Sequence, residues 1–532
     1  MSFFRTKLSP AGVPQTNSPR RKNAGLRMPG ASTVFIALAV AFLALLLGAV
    51  VALGSNQLTL ILAGIMLIVP VVAVVNTKNL LPVLFVFTFL VQGMAQYAFN
   101  LRLAAWLGSG LGALFFARAV LELSSFNGRR ERAPKPAFGA SAVIVASFLY
   151  LSFFFFGMAI GHLSLPKMIS AFRFCVPMFG VLFALYWFEW PLNRIQTLWK
   201  LIAIITVTQL PIVIYQHFFM IGSLGWDGVV GTFGLGMSAT LVLFSTSGLL
   251  YVVARWVRGL SGPLLPAAML AVVLAISILG EVKAVFVWLP LTLFLILRRR
   301  VLKNIFAFVT FGLFIGLFMA GTYGAYKALY WGDVIGGGKT VEEKLDRTGG
   351  YFFDPRSVNY TTGEVGRGAS MYLWYRDPMP TLVERLVGYG PGASATNAGT
   401  GQGIVAVRYR RLAINATAIS ALLWDVGILG LLAFLAIPLT GIVAGLRYVK
   451  FSGADPERLA IVDVSTVTMI MLSTTVIYNR ALLDESTLQL LMFFSLGCIV
   501  HFCRYRHADA AAAAAQPLQK PRTAGAGALP GR

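Results

Sequence analysis

The chain has few of the residues on which soluble enzymes depend. Among 532 residues only 20 are Asp or Glu, four are His and three are Cys, and charged residues make up 12%. Cys175, Cys498 and Cys503 lack the spacing of a metal site or of a disulfide framework, so we expect neither. No P-loop, DxD-type cluster or His/Cys set occurs. These absences fit a protein that uses no cofactor and no metal.

Long apolar runs dominate what is present. Hydrophobic residues make up 57% of the chain, and the mean hydropathy of +0.76 is far above that of soluble domains. A membrane-spanning helix needs about 20 mostly apolar residues. Such windows occur at 33–53, 57–76, 80–99, 101–120, 138–160, 168–189, 195–220, 231–255, 263–280, 282–298, 303–325, 413–445, 459–479 and 486–504. The sequence predicts an all-α polytopic transmembrane helix bundle of about 12–14 spans, in which 413–445 is long for one crossing.

The net charge of +24 is explained by membrane orientation and not by nucleic acid. If the N-terminus is cytoplasmic, both tails, RRERAPK at 129–135 and RRR at 298–300 fall on the cytoplasmic side. This is the segregation that the positive-inside rule describes. We expect a multi-pass protein of a bacterial inner membrane with both termini cytoplasmic and no nucleic-acid partner.

One polar interruption, Lys327 to Arg411, divides the apolar sequence. Together with the apolar windows and the composition of the two ends, this interruption predicts five regions. They are a cytoplasmic disordered tail at 1–30, a bundle of about 11 spans at 31–325, an external, periplasmic loop at 326–412, three last spans at 413–506 and a low-complexity cytoplasmic tail at 507–532. Thr381 and Glu384 form a predicted capping box that starts a short helix in the loop. GYGPG at 388–392 could wrap an anion with its N–H groups, although a simple chain turn is favoured.

The order of residues in and after this loop suggests a family. The chain has, in this order, an Arg, a Trp, a short helix, a glycine loop, an Asn and the sequence D-V-G-I-L-G. The residues that carry this order are Arg367, Trp374, Gly388, Gly390, Gly392, Asn415, Asp425, Gly427 and Gly430. This order resembles the core of the O-antigen ligase and Wzy-type polymerase superfamily, over about 365–435. The resemblance implies metal-independent, inverting glycosyl transfer from an undecaprenyl-pyrophosphate-linked oligosaccharide to a glycan hydroxyl. It also implies the membrane, a chain-length regulator and export proteins as partners.

The resemblance implies roles for individual residues. Arg367 would bind the pyrophosphate, and Lys283 stands where the family often has an Arg. Further substrate contacts are implied for Trp374, Gly390, Gly392 and Asn415, while Arg411, just before the next span, could hold a phosphate by its position alone. Arg173 is a candidate on physical grounds, because an arginine inside a membrane helix is costly. The alternatives are a solvated loop arginine for Arg367, snorkelling for Arg173, a basic rim beside lipid for Arg411 and an interfacial aromatic for Trp374.

The family's base is missing from its expected place. The family has a His just before the Asn, and this chain has Ile414. His217, His162, Glu281 and Asp425 are candidates for the acceptor base, although Asp425 could instead pair with an arginine. Two other functions stay open: a flippase for lipid-linked oligosaccharide or another transporter, and a catalytically silent assembly subunit of an export machine.

Overall fold

The computed structural model describes residues 75–99, 101–124, 138–161, 165–220, 228–234, 236–330, 349–396, 401–410, 412–450 and 455–505. The fold is an all-α polytopic transmembrane bundle, as predicted. Its first part contains α1 (Thr77–Val86), a π-helical turn (Phe87–Val91), α2 (Gln92–Ala98), a 3-10 turn (Arg102–Trp106), α3 (Leu107–Ser124), α4 (Phe138–Ile160), α5 (Leu165–Cys175), α6 (Phe179–Trp187), α7 (Leu192–Tyr215), a second π-helical turn (Gln216–Met220), α8 (Ser238–Val257), α9 (Leu264–Leu279), α10 (Val285–Val301) and α11 (Ile305–Tyr330).

The second part combines short helices with three long ones. It contains α12 (Arg367–Arg376), α13 (Leu382–Val387), α14 (Ile404–Arg408), α15 (Ala418–Asp425), α16 (Gly427–Val449), α17 (Pro456–Tyr478), α18 (Ala481–Asp484) and α19 (Ser486–Cys503). Helix α19 is the centre of the bundle, since all of its side chains are buried. It packs on α17, α6 and α16, and α4 packs along α16.

Nine helices of the described ranges are long and apolar enough to cross a membrane, and a bent pair could be a tenth. The pair joins α5 to α6 at 49°. Two further predicted spans appear as shorter helices, α9 with 16 residues and α10 with 17. The long 413–445 run is α15 followed by a break at Val426 and then α16. The windows at 33–53 and 57–76 lie outside the described residues, apart from 75 and 76.

Residues 228–234 are buried without being helical, although the sequence predicted a span from 231. Two glutamine side chains, one in α7 and one in the π-helical turn that follows it, bind this segment. Gln216 Oε1 accepts hydrogen bonds from the backbone N–H groups of Val230 and Gly231 at 2.9 and 2.7 Å. Gln209 Oε1 accepts a hydrogen bond from the backbone N–H group of Thr232 at 2.8 Å. Non-helical backbone is tolerated at membrane depth only where protein groups satisfy it. Two glutamines make this irregular segment possible.

The predicted external loop has its own small core in the residues described. Ala393, Val405, Ile414 and Trp424 are fully buried together, and Trp374 packs against them. The predicted capping box is confirmed: Glu384 N–H donates to Thr381 Oγ1 at 3.3 Å, and Thr381 N–H donates to Glu384 Oε2 at 2.6 Å. These contacts hold α12, α13 and α14 over one end of the bundle.

Candidate functional site

A cavity of about 70 Å³ lies where the loop meets one end of the bundle. It has room for a few water molecules. Five parts of the chain form its wall: the second half of α4, α5, residues 391–395 with Gly401, the region 415–426, and Arg480 with α18. Its polar and charged side chains are those of Tyr150, Lys167, Ser170, Cys175, Ser394, Asn415, Asp425, Arg480 and Asp484.

Asp425 occupies the anion-binding position that GYGPG offers. Its Oδ2 accepts from Gly392 N–H at 3.0 Å and its Oδ1 from Ser394 N–H at 2.8 Å, while its backbone oxygen accepts from Gly390 N–H at 3.0 Å. The glycine loop therefore wraps a carboxylate of the same chain. Gly390 and Gly392 position Asp425 at the cavity wall through their backbone.

The electrostatics of Asp425 favour proton exchange near neutral pH. Burial raises the pKa of Asp425 to about 6, while the hydrogen bonds from Ser394 and Gly392 and the nearby charge of Arg480 oppose the rise. A carboxyl with this pKa can accept a proton and release it again at pH 7. Asp425 is thus the carboxyl of the cavity best suited to acid–base work.

Asn415 has an unused donor in the cavity wall. Its side chain is 4% exposed, and its Nδ2 has no hydrogen-bond partner among the residues that the structure describes. A buried amide without a partner costs about 1–3 kcal/mol, and a ligand in the cavity would remove that cost. The neighbouring Ile414 is fully buried in the loop core. The side chain of Ile414 thus belongs to packing and not to the cavity wall.

Arg480, Asp484 and Lys167 are charged cavity residues that sequence reasoning missed. Arg480 lines the cavity beside Asp484, to which its Nε donates a hydrogen bond. Lys167 also lines the cavity, and its ammonium donates a hydrogen bond to the backbone oxygen of Gln402. The sequence contained a pattern that could have indicated Arg480 as a site residue. The segment N-R-A-L-L-D-E at 479–485 places charged residues between two apolar runs.

Arg173 lies behind the cavity wall formed by Phe174 and Cys175. Its Nη2 donates to Ala105 O at 2.7 Å, and its guanidinium lies 3.9 Å from the centre of the Trp106 ring. Both contacts hold the guanidinium between α5 and the 3-10 turn. Arg173 is therefore near the site without lining it.

Arg367 and Trp374 are also next to the cavity and not in its wall. Arg367 Nη1 donates to Ala416 O at 2.7 Å, and its guanidinium lies between the rings of Tyr351 and Tyr478 at 5.1 and 5.8 Å. Trp374 packs in the loop core. Arg367 fixes the backbone next to Asn415, so it is a positioning residue for the wall.

Other predicted residues fall elsewhere. His217 Nδ1 lies 3.2 Å from Leu279 O, at the end of α9, and the exposed Lys283 and the partly exposed Glu281 follow in the next turn. None of these three lines the cavity. His162 and Arg411 lie outside the described residues.

The described residues contain no cluster of three or more His, Cys, Asp or Glu that could hold a metal ion.

Two comparisons of the sequence with known proteins found no match. No family model matches this chain, and no curated protein does.

The cavity wall brings together positive charge, an amide donor and a carboxyl that can exchange a proton. Arg480 and Lys167 supply positive charge, Asn415 supplies an amide donor, and Asp425 can take a proton. Positive groups of this kind stabilise a charge that develops on a departing phosphate oxygen. The cavity thus combines these few charged and polar side chains with a largely apolar wall at the end of the bundle.

Proposed function

We propose that this protein transfers a glycosyl group from a polyprenyl-diphosphate-linked oligosaccharide to a glycan hydroxyl. The cavity would face the periplasm of a bacterial inner membrane, and the product would be an exopolysaccharide or O-antigen chain. The observation that carries the proposal is the meeting of Arg480, Asn415 and Asp425 in one cavity at the end of the bundle. The resemblance over 365–435 suggests the reaction.

In this reaction the bond between the anomeric carbon and the phosphate oxygen breaks, and the acceptor oxygen forms the new bond to that carbon. The diphosphate leaves with its negative charge, which Arg480 and Lys167 would stabilise. The acceptor proton would pass to Asp425, whose carboxylate lies in the same cavity. The donor is already activated, so positioning and charge can supply much of the rate.

Deletion of the gene, followed by analysis of the accumulated lipid-linked sugar, tests the proposal. Single repeat units outside the membrane would support a polymerase, and finished polymer still on lipid would support a ligase. Repeat units trapped on the cytoplasmic face would refute both and favour a flippase.

Variants of the cavity test the site itself. We expect Arg480→Ala to lower product by about 100-fold or more, as removal of an electrostatic stabiliser does. Because this change also leaves Asp484 unpaired, the double variant Arg480→Ala/Asp484→Ala serves as the matched control. If the double variant regains activity, Arg480 acts only by neutralising Asp484 and its assigned role is wrong. Normal product from Arg480→Ala and from Asp425→Asn would favour the silent assembly subunit.

A further inference from the structure

Helix α13 carries apolar side chains on a face that no residue of the described ranges covers. Leu382, Val383 and Leu386 share this face and are 74%, 61% and 36% exposed, and Met379 just before the helix is 65% exposed. These four residues are called the apolar ridge. Contiguous exposed apolar surface usually marks an interaction site.

The charged side chains of α13 are directed away from the ridge. Arg385 donates from Nη1 to Trp374 O at 3.2 Å and from Nη2 to Asp377 O at 2.6 Å, and its guanidinium stacks 5.1 Å from the Trp374 ring centre. Glu384 is engaged in the capping box with Thr381. Both charges of the helix have partners within the protein, so the ridge itself is uncharged.

The ridge adjoins the membrane-facing surface of α16. A side chain at Gly427, the first residue of α16, would approach the backbone of Leu386 to 2.4 Å, so the two helices touch. Leu429 and Leu432 in the first turns of α16 are 38% and 57% exposed, as expected of positions that face lipid. The exposed apolar surface of the spanning helix thus continues into the ridge.

We propose that the apolar ridge inserts into the lipid bilayer, at the boundary between headgroups and acyl chains of the leaflet on the cavity side. The partner is therefore a lipid surface. An uncharged face on a short helix beside the end of a span has the geometry of an interfacial element. This contact would hold the loop, and with it the mouth of the cavity, at the depth of the headgroups. The inference does not depend on the proposed reaction.

Spin labels on the full-length protein in phosphatidylethanolamine/phosphatidylglycerol nanodiscs test this proposal. In a background with Cys175→Ala, Cys498→Ala and Cys503→Ala, a nitroxide is attached at Leu382→Cys or Val383→Cys. Leu432→Cys on the lipid-facing side of α16 and Thr362→Cys on an exposed polar turn are the references. Relaxation by oxygen, which concentrates in lipid, is compared with relaxation by a water-soluble nickel chelate.

We expect the labels at 382 and 383 to follow the label at 432, with a ratio of oxygen to nickel accessibility several-fold above that at 362. A ratio equal to that at 362 would place the ridge in water and overturn the proposal. Low accessibility to both reagents would mean that protein covers the ridge, for instance a second copy of the chain, and would overturn it as well. Two labelled positions guard against misfolding of one variant, and size-exclusion profiles identify such a variant.

Discussion

Glu485 is partly buried at the junction of α18 and α19, where its carboxyl group accepts a hydrogen bond from Thr240 Oγ1. Burial raises the pKa of Glu485 to about 7, Asp484 adds to the rise, and the bond from Thr240 opposes it. The folded state therefore binds a proton that the unfolded state releases between about pH 4.5 and pH 7. Stability should fall as the pH rises through this window, by about 3 kcal/mol for this group.

Glu485→Gln isolates this effect, because glutamine keeps an oxygen for Thr240 and cannot ionise. We expect the variant to have a higher Tm than the wild type at pH 8 and a nearly equal Tm at pH 4.5, measured in detergent. Glu364→Gln, the same change at an exposed position of the loop, is the control. A wild type and a Glu485→Gln variant with parallel pH profiles would show that Glu485 is ionised in both states.

Gly427 has a conformation and a surrounding that only glycine tolerates. Its φ is +68°, and a Cβ there would lie 2.4 Å from the Leu386 carbonyl group. We expect Gly427→Ala to lower the Tm and to loosen the contact between α13 and α16. Gly312→Ala on α11 is the matched control, since a Cβ there meets nothing within 4 Å and alanine favours a helix by about 1 kcal/mol. Equal losses in both variants would contradict the assigned packing.

Residue types in the sequence pointed to the region of the site but not to its members. Asp425 and Asn415 were predicted and both line the cavity, whereas Arg367 and Trp374 contact its supporting shell. Arg480 was missed because it lies more than 50 positions after Asp425, the last of the predicted site residues. Sequence order does not reveal which distant segments of the chain come together. The glycine loop could be recognised from its sequence, GYGPG. Only the fold showed that the anion bound by its backbone N–H groups is the carboxylate of Asp425.

At the scale of elements, the buried segment 228–234 depends on two glutamines of neighbouring helical turns. Gln216→Leu would leave the N–H groups of Val230 and Gly231 without their acceptor, at about 1–3 kcal/mol each. We expect faster amide hydrogen exchange in 228–234 and a lower Tm. Thr208→Val on α7 is the control, because Thr208 Oγ1 bonds only to the carbonyl of Ile205 in its own helix. Unchanged exchange in the Gln216 variant would contradict this account.

The same segment explains where prediction of elements was limited. Hydropathy placed a span at 231–255, but the helix begins at Ser238. Apolar composition reports burial, and 228–234 is buried as an irregular chain. The capping box at Thr381 and Glu384 was predicted correctly because its hydrogen bonds connect residues only three positions apart. A feature formed by residues close in sequence can be predicted from the sequence alone. The start of a helix inside a long apolar run depends on the neighbouring helices and cannot.

At the scale of the whole molecule, charged groups mark the end of the bundle opposite the cavity. Asp463 pairs with Arg258 and Arg298 at 3.2 and 2.9 Å, and Glu457 at the start of α17 pairs with Arg255 at 2.8 Å. Arg480 in the cavity wall follows the other end of α17. A helix of 23 residues separates the two ends by about 34 Å, close to a bilayer thickness.

The positive-inside rule then predicts which end faces which compartment. We expect a membrane-impermeant maleimide to label Thr362→Cys in intact spheroplasts and Lys303→Cys only after permeabilisation. Both positions are exposed to solvent, so reactivity reports the compartment and not burial. Labelling of Lys303→Cys in intact spheroplasts would reverse the orientation and place the cavity in the cytoplasm.

The sequence by itself determined that this is a polytopic helical membrane protein with one polar interruption, because hydropathy and charge act locally and need no partner. It also determined the short capped helix in that interruption. Only the tertiary structure decided that Asp425 fills the glycine loop, that Arg480 joins Asn415 across a cavity and that Ile414 belongs to a core. Those outcomes depend on which distant segments touch, and the packing of the whole bundle sets those contacts.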